Sequence, residues 1–186
     1  MKLSLGSTLV SLTSLAAVAW LCVIDSPRAV AAAALATPSA SCTTYCTGGT
    51  STNGCVATMS CAGVPSLSAG SGFWLTTSNL EGQKQALMRY TLSGRIATPW
   101  AASSTSFVCI KAPSQKMGPV QNSGGTANAC DGSISVDFIA WSVGHPWALG
   151  QPLAAGQVID VQTIYKDPPA PKTTNWSDAL EFTLLP

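Results

Sequence analysis

Ser133-Ile134-Ser135-Val136-Asp137-Phe138 is the stretch on which the fold turns. Ile134, Val136 and Phe138 alternate with Ser133, Ser135 and Asp137, the two-residue period of a strand with one buried face. The same period recurs on either side. Upstream, Cys55, Ala57, Met59 and Cys61 share a face, as do Phe73 and Leu75, and Ala86, Met88, Tyr90 and Leu92. A short apolar run covers residues 107–110. Downstream, Ile159, Val161 and Tyr165 alternate with Asp160, Gln162 and Ile164, and Leu180, Phe182 and Leu184 alternate with Glu181 and Thr183. Turn residues separate these runs: Gly63-Val64-Pro65, Ser93-Gly94, Ser123-Gly124-Gly125, Asp131-Gly132 and Asp167-Pro168-Pro169. Glycine supplies positive φ and proline presets φ, so each cluster is a physical stop. The one helix candidate, residues 138–143, is too short for the crossover that parallel strands need. The pattern predicts an all-β chain, a single antiparallel β-sandwich of seven to eight short strands.

The N-terminus carries a different signal. Lys2 precedes an uncharged Leu/Val/Ala-rich run over residues 3–24, and Ala34-Leu35-Ala36 stands before Thr37-Pro38. A basic start, an apolar run and a small-residue site are the parts of a secretory signal peptide. The expected organisation is a signal peptide at 1–36, a short flexible leader at 37–45 and a β-sandwich domain at 46–186. The location implied is secreted, extracellular or cell surface. Membrane contact enters only through the N-terminal segment, if it is left uncleaved.

Cysteine usage agrees with export. Of seven cysteines, Cys22 lies in 1–36 and six remain, an even set that reads as three disulfides in an oxidising compartment. Local loop closure suggests Cys46 with Cys55 across the Gly48–Gly54 turn, Cys42 with Cys61 one step out, and Cys109 with Cys130. Closing such loops contributes on the order of 2–4 kcal/mol each. A zinc reading of the first four is disfavoured by the missing C-x-x-C knuckle.

Charge narrows the function. The chain is 9% charged with a formal net charge of +1. Residues 1–36 hold Lys2, Arg28 and Asp25, so seven basic and seven acidic residues follow them. A balanced chain gives no case for nucleic acid. His145 is the lone histidine and no G-x-S-x-G elbow is present, which disfavours serine-hydrolase chemistry. Glycoside hydrolysis needs two carboxylates, one raised in pKa. Asp160 and Asp137 sit beside apolar residues, yet period two puts both on the face opposite the apolar one, predicting solvated acids. Asp131 and Asp137, with carbonyls of the 124–128 loop, form a weak calcium candidate without EF-hand spacing. No cofactor is called for. Tryptophan faces stack on sugars, and Trp74, out of phase with Phe73 and Leu75, and Trp147 and Trp176, read as loop residues, are the stacking candidates. Asn175-Trp176-Ser177 is a formal glycosylation sequon, read as coincidence. The function expected is a non-catalytic exported module with a structural or binding role, its partner a polysaccharide or another cell-surface component. The alternative is a carbohydrate-binding module using exposed tryptophans.

Several segments together carry a resemblance. They are Tyr45-Cys46-Thr47-Gly48-Gly49-Thr50 leading to Gly54-Cys55, Pro65 to Phe73 (Pro-Ser-Leu-Ser-Ala-Gly-Ser-Gly-Phe), Asn122-Ser123-Gly124-Gly125-Thr126, Cys130-Asp131-Gly132, Lys166-Asp167-Pro168 and Leu180-Glu181-Phe182-Thr183. In this order they resemble an exported β-rich module of environmental bacteria to which no activity is attached. The resemblance spans residues 45–186 and implies an extracytoplasmic β-rich domain with no catalytic residues to carry over. Members often end in Cys-Pro, whereas this chain ends Leu185-Pro186. Cys42 and Cys61 also lie outside the pattern, so the module's disulfide scheme does not transfer.

Overall fold

A computed structural model of the protein describes residues 41–186. The signal peptide expected at 1–36, and residues 37–40 of the expected leader, lie outside the described residues. Eleven strands follow in order: β1 Cys42–Tyr45, β2 Thr58–Ala62, β3 Trp74–Leu80, β4 Gln85–Thr91, β5 Arg95–Pro99, β6 Phe107–Ile110, β7 Gln115–Lys116, β8 Gln121–Asn122, β9 Gly132–Asp137, β10 Val158–Lys166 and β11 Thr174–Thr183. One helix, α1 (Phe138–Val143), follows β9 directly. Asp137 makes that stop: its Oδ1 accepts from the Ala140 backbone N–H at 3.1 Å, capping the helix that ends the strand.

The fold is all-β, antiparallel and stapled by disulfides, as the alternation predicts. It has more layers than one sandwich. The main sheet runs β1-β11-β10-β4, with β7 and β8 both paired to the far edge of β4. A second sheet runs β2-β3-β9, and the β5–β6 hairpin forms a third. Strand pairing fixes the faces. Val161 pairs with Tyr90 and with Leu180, and Ile159 pairs with Phe182. These side chains join Met59, Leu75, Ile134, Val136 and Phe138 of the second sheet and α1 in one buried cluster. Phe182 packs against Phe73 and Phe138 with ring centroids 4.7 and 5.2 Å away, and Tyr90 meets Phe138 edge-on at 5.6 Å. Inside the cluster the hydroxyls of Thr77 and Thr163 satisfy each other at 2.6 Å. The hairpin lies on the opposite face of the main sheet. There Gln162, fully buried, accepts from the Cys109 N–H at 2.9 Å and donates to the carbonyls of Phe107 and Ser177.

The leader expected at 37–45 is corrected at its end. Cys42–Tyr45 is an edge strand, with Cys42 opposite Phe182 and Tyr45 opposite Ala179. Its small polar residues hide the strand because the only demand on β1 is backbone pairing. The disulfides are Cys42–Cys61, Cys46–Cys109 and Cys55–Cys130, with Cα separations of 6.5, 6.3 and 5.2 Å. The first is the expected pair; the other two exchange partners relative to expectation. In the 46–56 segment Thr50 bridges Val56, and the Ser51 N–H donates to the Cys55 carbonyl, so Cys55 faces Ser51 rather than Cys46. Gly49 is pinned to β11 through its N–H to the Trp176 carbonyl. A side chain at Gly49 would collide with Ser106 of the hairpin, which is why this approach needs glycine.

Candidate functional site

The three tryptophan candidates separate. Trp74 opens β3 on the outer face of the second sheet and is 48% exposed. Its face carries a hydroxyl row: Ser60 pairs with Thr76, Thr76 with Ser135, and the Thr76 and Ser135 hydroxyls lie 2.8 Å apart. Trp147, 76% exposed, follows α1 near exposed Val143. Its ring meets His145 at 5.5 Å, and His145 in turn stacks on Trp141 at 4.6 Å. His145 Nδ1 lies 2.6 Å from the Trp141 carbonyl and donates to it, so the lone histidine is tied to the packing of this loop. Trp176 corrects the expectation. It lies on β11, not in a loop, and is 5% exposed with its edge against Trp100 at 5.5 Å. The neighbouring sequon residue Asn175 is buried, its Nδ2 donating to Asp167 Oδ2 at 2.7 Å.

Six of the seven described acids hold a hydrogen-bond donor or a cation; the seventh, Asp160, is buried with neither carboxylate oxygen hydrogen-bonded. Asp167 accepts from the Thr52 N–H and hydroxyl as well as from Asn175. Asp137 accepts from the Gly72 N–H at 2.7 Å besides capping α1. Asp131 accepts from the Thr126 N–H at 2.8 Å, which holds its carboxyl below the usual range. Asp131 immediately precedes β9 and Asp137 ends it, roughly 20 Å apart along the extended chain, so they do not meet around one cation. No cluster of three or more His, Cys, Asp or Glu suited to a metal exists among the described residues. Asp178 accepts from the Met59 N–H at 2.7 Å where β11 bulges toward β2, and burial pushes its carboxyl up to about 6. Burial also raises Glu81, but the Lys84 ammonium at 2.9 Å, with Asn53 and Ser51, outweighs it and leaves the carboxyl below its ordinary value.

Asp160 overturns the solvated reading. It does lie opposite the apolar face, but the hairpin and Arg95 cover that face, and Asp160 is 1% exposed. Arg95 Nε is 3.8 Å from Asp160 Oδ1. The same guanidinium grips Glu181 with two contacts of 2.7 Å and lies 4.1 Å over the Tyr45 ring. The Tyr45 hydroxyl donates to the Cys109 carbonyl. Burial raises the Asp160 carboxyl, Glu181 adds to the rise, Arg95 pulls it back, and the balance is upward. Asp160 and Glu181 pair across β10 and β11, yet one is sealed from solvent and the other is held by arginine. That geometry gives a sugar ring no place between them.

The cations behave differently. Among the described residues, ion pairs involve only Lys84 and Arg95; Arg89, Lys111, Lys116, Lys166 and Lys172 pair with no acid. Four of these five line two adjoining hollows of about 270 and 530 Å³ that share Arg89 and Ile164. The larger lies between the main sheet and the hairpin, whose Ile96, Thr98 and Val108 line it, and the smaller lies beyond the hairpin over β4 and β10. Strand register builds the floor: Leu87 pairs with Ile164, and Ile164 with Trp176. Lys166 lies one step along β10 from Ile164 on the same face, and Arg89, paired with Gln162 and Lys116, lies one step the other way. Arg89 is steadied by Ser114, whose hydroxyl and carbonyl accept from its Nε and Nη2. Trp100 closes one end, its Nε1 donating to Thr174 at 3.0 Å, with Lys172 4.1 Å over its ring. Sequence reasoning missed this groove. The available signal was the pairing of Leu87 with Arg89, and of Ile164 with Lys166, at a two-residue spacing.

Compared with protein families, with curated proteins and with solved structures, the chain matches none. Three disulfides, with no helix among the described residues long and apolar enough to cross a membrane, are compatible with an extracellular protein.

Proposed function

We propose that this chain is an exported, non-catalytic binding module that works outside the cytoplasm or at the cell surface. The observation that carries the reading is the commitment of its acid–base groups. All seven described acids hold backbone N–H groups, side-chain donors or cations, or lie sealed beneath the hairpin, and His145 is tied to Trp141. General acid–base work needs a titratable group that can reach a substrate. Export is supported by three bridges between distant segments, which need an oxidising compartment. Mass mapping of the exported chain without reductant tests it. The expected result is cleavage after Ala36 and the three pairs Cys42–Cys61, Cys46–Cys109 and Cys55–Cys130. Free thiols in native material, or hydrolysis of any glycoside panel by the purified chain, contradict the reading.

A second reading places a neutral glycan on the outer face of β2-β3-β9. It is favoured by the exposed Trp74 ring beside the Ser60, Thr76 and Ser135 hydroxyls, an apolar plate next to hydrogen-bonding groups. Tryptophan fluorescence across neutral polysaccharides is expected to change in the native chain and not in Trp74→Ala. That substitution on an exposed strand residue alters stability by less than about 0.5 kcal/mol. A flat response in both chains removes this face as a sugar site.

A further inference from the structure

The groove on the uncovered back of the main sheet points to a ligand class that the overall charge conceals. We propose that it binds an anionic polysaccharide, a chain of sugars bearing carboxylate or sulfate groups; this rests on the binding-module reading above and names its site and ligand.

The argument starts from charge. The described residues balance in number, but the acids are spent on the fold while Arg89, Lys116, Lys166 and Lys172 face one groove with no acid beside them. Burial lowers the pKa of Arg89, which means its charge is only partly solvated and gains from an anion placed against it. Lys166 and the Arg89 row are four strand residues apart along β10, about 13 Å. Between them runs the Leu87–Ile164–Trp176 row, which is apolar. A ligand that fits must therefore carry separated anionic groups with C–H surface between them. Linked pyranose rings have that alternation, since each ring has an apolar face and its acid group projects at the rim.

Other polyanions fit less well. Nucleic acid affinity grows with the number of phosphates neutralised, and four dispersed cations on a charge-balanced chain supply few. A bilayer is flat, whereas Arg89 and Lys172 flank a hollow between sheet and hairpin, and Lys116 and Lys166 flank the hollow that adjoins it. An acidic peptide would need strand pairing, but the floor comes from β4, β10 and β11, paired to one another on the interior of the main sheet.

Isothermal titration of the full exported chain tests the proposal with four probes: polygalacturonate, dextran sulfate, neutral dextran and vesicles containing phosphatidylserine. Binding is expected for the first two, which separate carboxylate from sulfate preference, and not for the last two. The affinity falls as salt is raised. Lys166→Glu with Lys172→Glu, both exposed residues, is expected to weaken polyanion binding at least tenfold, while Lys111→Glu, an exposed cation off the groove, leaves it within twofold. Unchanged affinity in the double variant, an equal loss in Lys111→Glu, or binding to vesicles alone overturns the groove assignment. A chain that ignores both polyanions yet binds neutral glycans through Trp74 also overturns it while leaving the binding-module reading in place. No response to any probe overturns both.

Discussion

On β10, Ile159, Val161 and Tyr165 enter the apolar cluster shared with the second sheet, whereas Asp160, Gln162 and Ile164, one residue out of step, face the hairpin and the groove. Both faces are largely closed to water: Val161 and Gln162 are each fully buried. They differ in what closes them. The front is held by apolar area and ring packing, which is non-directional and tolerates sliding. The back is held by directed contacts: Gln162 to three backbone groups, Arg95 to Glu181, and Thr91 Oγ1 to the Lys111 and Pro113 carbonyls. A directed closure can end where its partners end, and here it ends halfway along the sheet. The same strands thus give the molecule a sealed core on one side and an open cationic groove on the other.

That contrast can be broken most forcefully from the front. Phe182→Ala removes a ring packed between Phe73 and Phe138 and is expected to cost about 3–5 kcal/mol, read as a lower urea midpoint with an unchanged slope. An equal loss from any single back-face truncation would erase the distinction. Gln162→Leu is the matching probe on the back. It strands the Cys109 N–H and two carbonyls and is expected to cost about 1–3 kcal/mol. Hydrogen exchange sharpens it: the Cys109 amide should exchange faster while Val161 keeps its protection, because the hairpin loosens before the core.

The smallest effect concerns the bulge that joins the main sheet to β2. Asp178 has a folded-state pKa of about 6 against an ordinary 3.8, so the fold disfavours the ionised form. The penalty is therefore absent below the ordinary value of 3.8, grows as pH rises towards about 6 and is fully present above it, so stability falls through that window. Asp178→Asn keeps an oxygen for the Met59 N–H and loses the charge. It should match the native chain at about pH 3 and exceed it by on the order of 1 kcal/mol at about pH 8. A variant that is less stable than the native chain at both values contradicts the assignment.

The strands whose faces differ in polarity were legible in the sequence. Residues 133–137, 86–91 and 159–165 alternate because one side meets oil and the other does not. Arg95–Pro99 was not legible. All five of its residues are exposed, so no face imposes a pattern on it. The same hairpin explains the misreading of Asp160, since period two tells which side a residue takes and not what lies over that side. Two of the three sulfur pairs eluded local reasoning because strand order brings together residues 63 and 75 positions apart. For the site, the phase of Trp74 against Phe73 and Leu75 predicts an outward ring, and it is exposed; Trp147 lies in a loop as its sequence suggests, whereas Trp176 stands near the start of β11 and is buried. The cationic groove stayed hidden because a count of charges is blind to which of them are already occupied.

The Cys42–Cys61 bond has a mechanical consequence. Cys42 is the first residue of β1 and stands opposite Phe182 near the end of β11, so the two ends of the described chain leave the same border of the sheet side by side. Tension applied between them would peel β1 away rung by rung, the weakest loading geometry for a ladder. The sulfur bridge stands at the first rung and passes that load to β2 before any rung opens. With the bridge intact the sheet border resists pulling as a covalent seam; reduced, it opens like a zipper.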